Sequence, residues 1–162
     1  MPLEPEDQTH LQAAQGYIEL KMFLDANEEL EEITAECRHL PEVLGVRLMI
    51  YEALQKWELA EVVAKRLVKY DPDDVEWILA WANATRRAGS VEAAKAILLD
   101  AVERNDEEPQ FYYQLGCLEC QLQDLQASMK HLEKAFKLDP KLRLRALDDE
   151  DLMRLWLVIE GD

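Results

Sequence analysis

The chain has 162 residues, the size of one domain or one short repeat array, with 49% apolar residues, 32% charged, five glycines and six prolines, which suits a compact helical protein and not a disordered one. Its formal charge of −16 argues against nucleic acid and anionic membrane surfaces, because both need concentrated Lys and Arg. Three cysteines do not make an extracellular disulfide framework, no apolar run approaches the roughly 18 residues of a membrane helix, and MPLEPEDQTH has neither a basic nor an apolar leader region, so a cytoplasmic protein is expected.

Residues 1–6 read as a frayed lead-in, since Pro2 and Pro5 have nothing obvious to pack on. A first helix is expected from Asp7 or Gln8 to about Lys21, with Ala13, Ala14 and Tyr17 inward. Asp25 followed by Glu28 resembles a capping box for the second, which carries Glu28, Glu29, Glu31, Glu32 and Glu36, read as a solvated outer face or as a surface for a basic partner. Pro41 suits the first turn of a third helix, and WELAEVVAKRLVKYDPDD, Trp57 to Asp74, forms a fourth stopped by Asp71-Pro72. Asp73-Asp74 open a fifth, in which Trp81 reads as core and Trp77 as a helix-interface residue; the chain turns at Gly89-Ser90.

The most regular stretch is Pro109 to Pro140. Tyr112, Leu115, Gly116 and Leu122 recur near a period of 3.6, Asp124 caps a second helix, and Leu125, Met129, Leu132, Ala135, Phe136 and Leu138 line it up to Asp139-Pro140. A step back of 34 residues preserves the register: Ser128 maps to Ala94, Ala60 and Ala26, while Leu132 maps to Leu98, Ala64 and Leu30. Beyond Lys141 to Ala146, Asp148 and Asp151 open a closing helix over about 148–160, striped by Leu152, Leu155, Trp156 and Ile159. Met153, Leu157 and Val158 give it apolar surface beyond that stripe, which predicts either a broad core contact or self-association with a second copy or partner.

The spacing of Tyr112, Leu115-Gly116, Ser128, Leu132, Ala135 and Pro140 resembles the tetratricopeptide repeat. The resemblance implies an all-α fold, a single domain over residues 1–162, with repeats at about 7–40, 41–74, 75–108 and 109–142 plus the closing helix. It would be an α-solenoid of antiparallel helix pairs coiled into a right-handed superhelix of about nine helices. Arg47 stands where the family has a buried Leu, so either its helix is rotated or its stem lies on the core and its head pairs with an acid of the first repeat. Glu119 departs from the family's aromatic, which Tyr17 and Tyr51 keep.

No constellation for catalysis stands out, and neither a cofactor nor a metal is expected. His10, His39 and His131 lie in different repeats, glycine-rich phosphate loops are absent, and Cys117-x-x-Cys120 falls inside a helix where a redox motif would sit at a strand-to-helix entry. The expected function is a non-catalytic protein–protein interaction scaffold or adaptor that binds a peptide or helix in a concave groove; a small acidic chaperone for type III secretion-like substrates is the alternative. By position in the family, the lining is Leu11, Gln15 and Ile18, then Met49 and Glu52, then Leu79, Asn83 and Arg86, then Tyr113 and Cys117 with Cys120. Leu11, Ile18, Met49, Leu79 and Tyr113 would anchor apolar groups, and Asn83 and Arg86 would hold a ligand backbone or carboxylate. The Lys and Asn of the family's chaperone-carboxylate clamp are not supplied by Leu11, Gln15, Gly45 and Met49. Lys130, Lys134, Lys137 and Lys141 form a basic stripe, read as a solvated face or as a dock for an acidic surface.

Overall fold

A computed structural model describes residues 2–161, as ten α-helices and two 3-10 helices, with no strand among the described residues. The chain divides into two compact units, one ending at Ala88 and the other beginning at Gly89. The division falls inside the third 34-residue period, at the Gly89-Ser90 corner. The first unit holds α1 (Pro5–Glu19), α2 (Phe23–Glu32), α3 (Pro41–Ala53), α4 (Trp57–Tyr70) and α5 (Val75–Ala88). In the second are α6 (Val91–Arg104), α7 (Pro109–Gln121), α8 (Leu125–Leu138), α9 (Leu142–Leu147) and α10 (Trp156–Gly161).

Helix ends follow the local chemistry. Pro5, Pro41 and Pro109 occupy first turns, where the missing N–H costs nothing. Ser90 Oγ accepts from the Ala93 amide at 3.1 Å, Asp124 Oδ1 from that of Ala127 at 3.0 Å, and Asp74 Oδ1 from that of Trp77 at 2.9 Å. The corners reveal a periodicity that the side chains conceal. Lys21, Gln55 and Gln123 have φ of 58°, 56° and 65°, Gly89 has 121°, and these four positions are spaced 34 apart. Each corner thus needs one left-handed residue, and only the third copy uses glycine for it.

Packing explains the small-residue column. Ala26, Ala60, Ala94 and Ser128 are all fully buried. In the last copy Ser128 Oγ donates to the Gly116 carbonyl at 2.6 Å, and a Cβ placed on Gly116 would lie 2.6 Å from Cγ and Cδ2 of Leu132. Two helices meet there with no room for a methyl group. Arg47 does what its stem and charge allow: the side chain is largely covered while its guanidinium pairs with Glu31 at 2.7 Å and reaches Asn27 at 3.4 Å.

Three expectations about the ends need correction. Leu3 is buried against the first core of Ala14, Leu30, Ile33 and Val43, so the lead-in is anchored and α1 starts at Pro5; Met1 lies outside the described residues. Asp25 makes no cap, because α2 begins at Phe23 and places Asp25 in its first turn with Met22 before it. The closing element is not one helix from Asp148. Asp149 caps it, accepting from the Asp151 amide at 3.1 Å, and residues Glu150–Leu155 wind as a 3-10 helix before α10. Its stripe holds nonetheless: Leu152, Leu155 and Ile159 are buried with Leu132, Leu142 and Ala146.

Two histidines give the units opposite responses to acid. His10 Nδ1 lies 2.8 Å from Glu29 Oε2, a bond that raises its pKa above the ordinary value. The stabilisation this brings is complete below about pH 6.5 and is lost as pH rises through the raised pKa. His131 is desolvated, which lowers its pKa, so the unfolded chain takes up a proton first and the second unit weakens as pH falls below about 6.5. Hydrogen exchange at pH 5.5 and 7.5 is expected to show α1 and α2 better protected in acid and α7 and α8 better protected at the higher pH. His10→Gln and His131→Gln should each flatten the response of their own unit.

Candidate functional site

In the first unit the expected lining residues fall into two groups. Leu11 and Ile18 on α1 are half-buried and spend part of their surface on the first core, while Gln15 stays exposed. On α5, Leu79, Asn83 and Arg86 are half-buried, and Arg86 donates to Asn83 Oδ1 at 3.0 Å. Met49 on α3 is 52% exposed.

Met49 and Glu52 are brought together in a cleft of about 490 Å³ between α3 and α5. Its apolar wall is Val46, Leu48, Met49, Trp77 and Ala80, and Glu42, Glu52 and Glu76 stand around it. Leu11, Gln15, Ile18, Leu79, Asn83 and Arg86 are not part of this lining. Conversely, Val46, Leu48, Trp77 and Ala80 were not expected in it. Trp77, read from the sequence as a helix-interface residue, carried the one signal; it packs against the same core as Trp81. Burial pushes the Glu52 carboxyl up, and among the described residues none pairs with it.

In the second unit the chain covers the corresponding face itself. Tyr113, Cys117 and Cys120 on α7, expected to face a partner, are buried beneath residues 149–159. Tyr113 Oη donates to Asp149 Oδ2 at 2.7 Å, and the Cys117 thiol lies 3.8 Å from the same oxygen. The Arg145 guanidinium sits 4.7 Å from the centre of the Tyr113 ring and also donates to Gln110 Oε1 at 3.1 Å. Trp156 Nε1 ties the segment down by donating to the carbonyls of Ala146 and Asp149 at 3.0 and 3.1 Å. Desolvation drives the Tyr113 hydroxyl and the Cys120 thiol upward from their ordinary pKa values, so both stay neutral. These two positions are therefore covered because the stripe of Leu152, Leu155 and Ile159 needs an apolar floor, and α7 supplies it. Met153, Leu157 and Val158 point the other way and are exposed, Leu157 by 86%, which rules out the broad core contact for them.

A search of curated protein sequences returns no match. A family model described as "Tetratricopeptide repeat" matches residues 109–142. Among solved structures, a tetratricopeptide repeat protein from Parabacteroides merdae superposes with a TM-score of 0.76 at 15% identity, covering 98% of this chain and 67% of the other. MamA from Desulfovibrio magneticus RS-1 gives 0.74 at 16%, covering 83% and 76%, and YrrB, "a TPR protein with an unusual peptide-binding site", gives 0.69 at 15%, covering 83% and 69%. The chain folds as a tetratricopeptide-repeat protein.

Within the tetratricopeptide frame the Glu119 departure has a physical reason. Glu119 is buried on α7, and Lys95 of α6 meets its Oε1 at 2.7 Å, with His131 Nε2 of α8 at 4.0 Å. An ion pair thus stands where the tetratricopeptide pattern has an aromatic, a residue that Thr85 also replaces in the third copy. No described helix is long and apolar enough to cross a membrane.

Proposed function

We propose that this chain is a non-catalytic protein-binding module, and that the first helices of its pairs, α1, α3 and α5 in the first unit, present the surface that takes a peptide or helical segment. The observation carrying this reading is the cleft between α3 and α5, where Met49 is exposed over a wall of Val46, Leu48, Trp77 and Ala80. A concave apolar surface with a few polar groups at its edge is what segment recognition uses. The second unit supports it from within: there the equivalent helix α7 already holds an extraneous segment, residues 149–159, by apolar anchors and one hydroxyl–carboxylate bond. YrrB, similar in fold, is described as having a peptide-binding site.

Photocrosslinking tests it. A photoreactive amino acid at position 49 is expected to capture a protein partner in the source cell, whereas the same group at Leu59 or Leu99, exposed on second helices, should not. Capture from 59 or 99 but not from 49 would place binding on the second-helix surface and end this reading.

A further inference from the structure

Building on the proposed binding face, we infer that the cleft between α3 and α5 receives a basic segment: a lysine or arginine side chain among Glu42, Glu52 and Glu76, beside a bulky apolar side chain on Met49 and Trp77. Three carboxylates border this cleft, and among the described residues no cation lines it. The half-buried Glu52 has lost part of its water without gaining a partner among the described residues, a cost that a ligand's cation would offset. An acidic ligand would add a fourth negative group to the same cleft.

The form of the cation follows from how the carboxylates are spread. No group of three or more acidic, histidine or cysteine side chains among the described residues is placed to hold a metal ion. The charges therefore suit a long side chain with several N–H donors, lying along the apolar wall with its head among the acids. Gly45 points to the same conclusion. It lies mid-helix in α3, where glycine is a poor choice, and a Cβ built on it meets nothing within 4 Å, so no close packing requires glycine there. Its effect is to keep the cleft open, and about 490 Å³ is room for more than one side chain.

The test uses the full chain and three short dye-labelled peptides of equal length and equal apolar content, differing only in carrying Lys, Gln or Glu at the charged positions. Fluorescence anisotropy is expected to give the Lys peptide about tenfold or greater preference over the Gln peptide, with the Glu peptide weakest and the preference shrinking as salt rises. Glu52→Gln should remove most of that preference. Gly45→Phe, which fills open space and favours the helix, should abolish binding while circular dichroism stays as in the parent and the melting temperature is no lower. Equal affinity of the Lys and Gln peptides, or a Glu52→Gln protein that binds as the parent does, overturns the inference. So does absence of Lys-peptide binding up to millimolar concentration. Peptides that all bind alike and are all displaced by Gly45→Phe would leave the binding face standing while removing its preference for basic groups. If the protein alone sediments as a dimer that Gly45→Phe dissociates, the occupant is a second copy and the peptide inference falls.

Discussion

Lys95→Met is expected to destabilise the second unit by about 3 kcal/mol, toward the low end for breaking a buried pair. Glu119 would lose its partner in a site where its side chain is only 4% exposed, with His131 at 4.0 Å as the nearest substitute. The figure stays low because Lys95 itself is 32% exposed, so water reaches one end of the pair. Adding Glu119→Gln should recover most of the loss, since the variant then buries an amide and no orphan charge. Hydrogen exchange of α7 amides reports on this unit directly. Unchanged protection in the single variant would show that the pair is solvated and that Glu119 is not held by Lys95.

Gly116→Ala should cost about 1–3 kcal/mol through overpacking, although alanine is the better helix former. The new methyl would sit 2.6 Å from Leu132 Cγ, an atom near the base of a fully buried side chain, and cannot be avoided by turning a chain end away. The sign should reverse in a Leu132→Ala background. There the space left by the shortened side chain accepts the methyl, and Gly116→Ala becomes neutral or favourable, a coupling read from a double-mutant cycle. Equal effects in both backgrounds would mean that α7 and α8 do not meet closely at this point.

These two sites also show what was legible in the residues. Ser128 and Leu132 were readable because close approach of two helices demands a small residue facing an apolar one at a fixed spacing, and Ala94, Ala60 and Ala26 repeat the small residue every 34 positions. The Arg47 pairing was half-readable, since a stem on a core needs an acid but many acids were available, and only the fold selects Glu31. The left-handed corners at Lys21, Gln55 and Gln123 were invisible, because residues with an ordinary side chain occupy them. Tyr113 and Cys117 were misplaced for a different reason. Counting along a helix assigns a face, and it does not say what else in the chain covers that face; residues 149–159 do so here. Pro5 and Leu3 were misread because the apolar target of Leu3 is assembled from α1, α2 and α3, which no local window contains.

The central claim, that the first helices carry the binding surface, is most directly tested by amide chemical shifts of the isotope-labelled chain as a captured partner segment is titrated in. The account predicts shifts concentrated on α3 and α5 around Gly45, Met49, Glu52 and Ala80, with α4 quiet on its outer side. Shifts confined to α2, α4, α6 or α8, with Met49 and Glu52 unmoved, would contradict it.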